Sequence, residues 1–311
     1  MTSASRLPQL SGDLFITDGG METTLIFKEG IDLPHFASFD LLRSDDGRQA
    51  LRDYYGTYVA LARDRGVGLL LDTPTWRANH DWGELLGYSE EELARVNREA
   101  VQLVEELRTE DGPPIVVSGC VGPRGDGYQA EWLMTVEEAQ QYHAPQVETF
   151  ADSGADLASA LTLNYAEEAV GIVRAASSAG LPVAVSFTVE TDGRLPNGQE
   201  LSAAIEQVDA QTDGAAAYFM INCAHPTHFA HVLEEGEPWL ERLGGLRANA
   251  SRKSHAELDE SDALDDGDPE ELGGQYAELR SRLPRVTVVG GCCGTDHRHV
   301  GAICDAWSRA G

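Results

Sequence analysis

The sequence predicts a (β/α)8 TIM barrel in one domain, residues 1–311. Eight short apolar runs each lead into a stretch of helical periodicity, and no change of composition marks a second domain. Runs that are apolar throughout, rather than alternating, suit parallel strands covered by helices on both faces. An open doubly wound sheet is the competing arrangement. No Gly-x-Gly-x-x-Gly follows the first strand to support it.

Taken in order, residues 14–18 form the first strand, stopped by Gly19-Gly20. Residues 45–65 are helical, with Leu51, Tyr54, Tyr55, Tyr58 and Leu61 on one face. The second strand, 67–73, is halted by Pro74. Ser89-Glu-Glu-Glu92 is a capping box that opens a helix to residue 108. The third strand is 114–120, followed by a helix over 135–153 that opens on Thr135-Val-Glu-Glu138. The fourth strand, 155–162, leads to a helix over 165–179. Gly180-Leu-Pro182 turns into the fifth strand, 183–188, and a polar loop over 190–198 precedes a helix over 201–213. The sixth strand is 217–223, with a helix expected over 226–243 and a weak seventh strand over 245–251. Residues 252–274 are acidic and poor in pattern, so a long surface loop is expected, with a helix over 269–283. Strand eight is 286–292, and a helix over 296–308 closes the barrel.

A formal net charge of −29 excludes nucleic acid, whose phosphates need a basic face, and an anionic membrane surface. No apolar run is long enough to span a bilayer, and the first residues lack the apolar core of an export signal, so a cytoplasmic protein is expected. Only Lys28 and Lys253 among 23 basic residues are lysine. An acidic, lysine-poor surface suits a salty cytosol, and arginine-rich codon usage yields the same composition. The five cysteines do not sit at framework spacings, which favours free thiols or metal ligation over disulfides.

Three of those thiols carry the chemistry. Cys292 and Cys293 lie in Val286-Thr-Val-Val-Gly290-Gly-Cys-Cys-Gly294, a β-branched strand running into a glycine-rich turn. Cys223 ends the sixth strand. Barrel active sites form at the C-terminal strand ends, which puts all three on one rim. Three thiolates leave the fourth tetrahedral position of Zn2+ open, the mark of a catalytic site. Cys120 reads as part of a strand-to-loop turn and Cys304 as helix core. His225, His228, His231, His297 and His299 offer a rival ligand set, but fall in the N-terminal turns of helices, where polar residues cap.

Asp18, Gly19 and Gly20 end the first strand on the same rim. The glycine amides suit a substrate carboxylate, and Asp18 can accept from an ammonium group. Thr73 and Asn222 are further substrate-binding candidates at strand ends.

Asp18-Gly-Gly-Met-Glu-Thr, Val185-Ser-Phe-Thr with Gly193-Arg-Leu-x-x-Gly-x-x-Leu201, Ile221-Asn-Cys223 and Gly290-Gly-Cys-Cys-Gly294 together resemble the homocysteine S-methyltransferase family over almost the whole chain. The resemblance implies a (β/α)8 barrel, zinc on Cys223, Cys292 and Cys293, and methyl transfer to homocysteine, giving methionine. It also implies that Asp18 and Gly19 meet the amino acid. The partners it implies are a small thiol acceptor and a small sulfonium or ammonium methyl donor, and a homo-oligomer is compatible with it. One position departs from the family pattern. Leu161 occupies the place of the glutamate that would hold the substrate's ammonium, so Glu190 or Asp72 must substitute or the acceptor must differ. Trp76 and Arg77 also hint at a remodelled pocket. Competing readings are a zinc- or thiol-binding barrel without turnover, and a zinc hydrolase. The latter would need a His-x-His on strand one and a carboxylate ending strand eight, where this chain has Asp-Gly-Gly and Cys-Cys.

Overall fold

A computed structural model describes residues 7–130, 133–261 and 263–310. Residues 1–6, read above for an export signal, lie outside the described residues. Eight parallel strands close in sequence order into a barrel, β1 pairing with both β2 and β8. The strands are β1 Phe15–Ile16, β2 Gly68–Asp72, β3 Ile115–Val121, β4 Leu157–Leu163, β5 Val183–Phe187, β6 Tyr218–Asn222, β7 Leu243–Ala248 and β8 Val288–Gly291. Each falls in the span expected from the sequence, shifted by a residue or two. Every strand residue is buried, as a sheet sealed on both faces requires.

The helices are α1 Met21–Phe27, α2 Asp45–Arg65, α3 His80–Leu85, α4 Glu90–Glu105, α5 Val136–Ser153, α6 Ala166–Ala179, α7 Leu201–Thr212, α8 Pro226–Phe229, α9 His255–Asp259, α10 Pro269–Leu279 and α11 His297–Arg309. Local signals fix several boundaries. Ser89 with Glu92 and Thr135 with Glu138 form complete capping boxes on α4 and α5. Left-handed Gly66, Gly154 and Gly180 end α2, α5 and α6.

The packing has two layers. Phe15, Leu70, Val116, Leu157, Tyr218 and Met220 belong to a compact inner cluster. A much larger cluster, including Tyr55, Phe150, Phe187 and Trp307, fastens the helices to the outside of the sheet.

Two expectations are corrected. The helix expected over 226–243 is only α8 plus 3-10 turns at Ala230–Val232 and Pro238–Arg242. Gly236 takes φ +89 and Pro238 cannot continue a helix, so the chain is broken there and β7 starts early, at Leu243. The acidic stretch 252–274 is not a plain surface loop. A capping box of Ser254 and Glu257 opens α9, and Leu258, Ala263 and Leu264 form a wall of the cavity described below. Asp262 lies outside the described residues. Helix α10 stops at Leu279 and passes into a 3-10 turn, Arg280–Arg282. No helix among the described residues is long and apolar enough to cross a membrane.

Candidate active site

At the C-terminal rim of the barrel the chain turns sharply, and those turns gather three sulfurs. Cys223 directly follows β6, and Cys292-Cys293 directly follow β8. Their Sγ atoms all lie within 4.8 Å of one another. Cys223 is 2.7 Å from Cys292 and 3.6 Å from Cys293. Among the described residues no other group of three His, Cys, Asp or Glu side chains comes together in this way. Cys304 is part of the outer core, as expected, whereas Cys120 stays outside the sulfur group but lies within β3 and lines the cavity rather than forming a strand-to-loop turn. Four of the five rival histidines are occupied elsewhere, and His297 is exposed on the first turn of α11, outside the sulfur cluster. His225 caps α8, His228 and His231 bind the Arg252 and Asp192 carbonyls, and His299 completes the capping box of α11.

The backbone is bent to present these thiols. Cys223 takes φ +56, a left-handed conformation that costs a non-glycine residue roughly 1–3 kcal/mol. Its carbonyl accepts from Asn249 Nδ2 at 3.0 Å and His255 Nε2 at 2.7 Å, which hold the turn. At β8 the close approach is made with glycine. A Cβ on Gly20 would stand 2.6 Å from the Cys292 carbonyl oxygen, and one on Gly291 would collide with Thr295.

Electrostatics single out one sulfur. Hydrogen bonds from Cys223 and Cys293, reinforced by the nearby Arg247 charge, hold the Cys292 thiol well below the ordinary range. Cys223, bonded to Cys292, is pushed up instead. Tyr128 stands over the cluster, its hydroxyl 3.3 Å from Cys223 Sγ and 3.6 Å from Cys293 Sγ. Its ring stacks on His255 at 4.2 Å between centroids.

All five substrate-binding candidates line one cavity of about 490 Å³ above the sulfurs. Most of their polar atoms are already committed to the protein. Arg247, projecting from β7, donates to Asp18 Oδ1 at 2.6 Å and also pairs with Asp72. Tyr54 donates to Asp18 Oδ2 at 3.1 Å. Burial outweighs Arg247, whose charge is shared with Asp72, and pushes the Asp18 carboxyl up to about 7. Gly20 N–H is spent on the Thr295 carbonyl, and the Gly19 backbone lies against the Tyr58 hydroxyl. Thr73 Oγ1 accepts from Cys120 N–H at 2.9 Å and is 2.6 Å from Thr75 Oγ1. Asn222 Oδ1 accepts from Thr162 N–H at 2.9 Å and Ser186 Oγ at 2.6 Å, while its Nδ2 donates to Thr162 Oγ1 at 2.8 Å.

Neither suggested replacement for a glutamate at Leu161 is plainly free. Glu190 pairs with His255 at 3.2 Å and is not among the cavity-lining residues. Asp72 is tied to Arg247 through one oxygen; its Oδ1 is buried and without a partner among the described residues. Three site residues escaped the sequence reading: Tyr128, Arg247 and Glu22. Only Arg247 left a usable signal, a lone charge inside an apolar strand.

A parallel barrel that gathers three thiols on its C-terminal rim, at the floor of an aromatic-walled cavity, defines the class as a thiol-centred barrel enzyme. Within that class, residues 15–307 match the family model described as homocysteine S-methyltransferase, and the chain belongs to that family of methyltransferases. It is 22% identical to homocysteine S-methyltransferase YbgG of Bacillus subtilis over 320 residues, 96% of this chain and 95% of that one. Homocysteine S-methyltransferase of Escherichia coli is 29% identical over 225 residues, 68% of each chain. Among solved structures, the oxidised form of the E. coli homocysteine methyltransferase MmuM superposes with a TM-score of 0.74 at 21% identity, covering 97% of this chain and 99% of that one. The metallated form gives 0.70 at 20% identity, with 96% of each chain covered. The structural likeness extends the agreement in fold over the whole barrel.

Proposed function

We propose that the protein moves a methyl group from a small sulfonium or ammonium donor to the thiol of homocysteine or a close relative, using Zn2+ held by Cys223, Cys292 and Cys293. The observation that carries this reading is the convergence of the three thiols on the cavity floor in a member of this family. The donor set fits the ion. Tetrahedral zinc with Zn–S bonds of about 2.3 Å spaces its thiolates about 3.8 Å apart. The 3.6 Å between Cys223 and Cys293 is close to that, and the 2.7 Å to Cys292 would widen by about 1 Å. Zinc held there would supply acidity, because a thiol bound to it is deprotonated outright.

The surrounding residues have separate tasks. Gly19 N–H, at a strand end on the cavity wall, is placed to donate to a substrate carboxylate. Trp76, Tyr128, Phe27 and Phe36 wall the cavity. Aromatic rings of this kind suit a cationic donor. Transfer itself forms a sulfur–carbon bond as the donor's bond to the methyl carbon breaks and the donor leaves neutral. No proton moves in that step, which agrees with a site built from thiols rather than from an acid–base pair.

The test combines metal analysis with turnover. Freshly reduced protein should hold one equivalent of zinc and methylate homocysteine from at least one of S-methylmethionine, S-adenosylmethionine or betaine. Cys292→Ala and Cys293→Ala should each abolish zinc binding. Stoichiometric zinc in both variants, or zinc-loaded wild type that methylates no thiol, would overturn the reading.

A further inference from the structure

Five carboxylates line the cavity: Asp18, Glu22, Asp72, Asp126 and Asp265. Four have an evident arrangement. Asp18 and Asp72 share Arg247. Asp265 accepts from Ser251 at 2.7 Å and has Lys253 at 4.0 Å. Asp126 is solvent-exposed and takes the Tyr128 N–H. Glu22 differs. It is half-buried on the first turn of α1, and among the described residues it has no Lys, Arg or His nitrogen within the 4.0 Å of an ion pair. Its Oε1 is fixed by the Ser38 hydroxyl at 2.8 Å, and the same hydroxyl is 3.2 Å from the Pro74 carbonyl, which pins it between the loops after β1 and β2.

Glu22 is two residues past Gly20, whose missing Cβ lets the chain touch the Cys292 carbonyl. It is close enough to Cys292 for the two charges to oppose each other; burial is the larger of the two effects raising its carboxyl. Arg77, whose charge acts on it, is not paired with it but packs over the Trp82 and Trp76 rings at 3.7 and 4.5 Å. At the end of β4 the Thr162 hydroxyl already accepts from Asn222 Nδ2, and the residue before it is apolar. Leu161 sits there at 7% exposure, and Trp76 Nε1 donates to its carbonyl at 3.2 Å, laying the indole beside it. An ammonium group finds no acceptor in those side chains. A half-buried carboxylate without a cation is costly to keep unless a ligand supplies one.

We propose that Glu22 receives the ammonium group of the amino-acid thiol, the part that Leu161 cannot play. The cavity then accepts a zwitterionic thiol rather than a simple mercapto acid. The inference rests on methyl transfer to a homocysteine-like thiol, as proposed above.

The experiment is calorimetric titration of zinc-loaded protein, without donor, with homocysteine and with 4-mercaptobutanoate, which lacks the ammonium. Wild type should prefer homocysteine by about tenfold or more, the scale of one charge-assisted hydrogen bond. Glu22→Gln should lose that preference while binding 4-mercaptobutanoate about as well as wild type. Adding Leu161→Glu to Glu22→Gln should restore the preference, and Glu22→Asp, which keeps the charge, should retain part of it. Zinc content and thermal midpoint check that each variant folds. Unchanged preference in Glu22→Gln, in protein that still methylates homocysteine, overturns this proposal alone. Zinc-loaded wild type that binds neither thiol overturns the reading of function and the proposal with it.

Discussion

Arg247 illustrates how much a single residue can settle. It is 5% exposed, and it places one positive charge between two carboxylates in the wall of the barrel, within reach of Cys292. Burial raises the Asp18 carboxyl to about 7 from an ordinary 3.8, and one guanidinium shared with Asp72 does not offset it. A raised carboxyl binds its proton in the folded state at pH values where the unfolded chain has released it. Asp18 therefore adds stability below about pH 4 that is lost as pH rises toward about 7. Urea denaturation across that window should show wild type losing stability relative to Asp18→Asn as pH increases. Parallel profiles would mean that Asp18 titrates like a free acid. The cysteines were legible in the sequence because adjacent thiols in a glycine turn have few structural uses. Tyr128 was not, because its loop has no periodicity and its role exists only once the barrel carries the loop after β3 over the ends of β6 and β8. Glu22 was hidden for a similar reason: the sequence shows a carboxylate, but not that Arg247 serves its neighbours and leaves it out.

At the scale of elements, the apolar runs and capping boxes located all eight strands and most of the helices, since both are local signals. The failures lie where local signals conflict. Apolar residues after Pro226 suggest a helix, yet Gly236 and Pro238 interrupt it. The register of the β4–β5 pair shifts between Ala160 and Leu163, and Thr162 takes φ +62 there, a bulge that no pattern announces. Asn222 ties that bulge to β5 and to the base of the Cys223 turn through Thr162 and Ser186. It is thus a brace between strands, whatever contact it makes with substrate. Asn222→Ala leaves the buried Thr162 N–H and Ser186 hydroxyl without acceptors and should cost roughly 2–4 kcal/mol in chemical denaturation. Zinc affinity should fall with it, because the next residue is Cys223. A loss under about 1 kcal/mol would show that water or a neighbour fills the gap.

At the scale of the whole molecule, the barrel is unevenly sewn. β1 contributes only Phe15 and Ile16, each matched to one residue of β2 and one of β8. Beyond it the closure relies on single bonds: Thr17 N–H to Val289 O at 3.0 Å, Gly291 N–H to Asp18 O at 3.2 Å and Gly20 N–H to Thr295 O at 3.0 Å. The motifs legible in the sequence, Asp18-Gly-Gly and Gly-Gly-Cys-Cys-Gly, are the two edges of this seam, so the thinnest joint of the cylinder is also the edge of its chemistry. Such a joint is where the cylinder would breathe. A substrate held by the Asp18-Gly19 edge on one side and by the Cys292-Cys293 edge on the other would act as a clasp. Amide exchange measures this directly. The Phe15, Thr17 and Gly291 amides should exchange faster than those of β4 and β5, and should slow by about tenfold or more when zinc-loaded protein binds homocysteine, while the far side of the barrel stays unchanged.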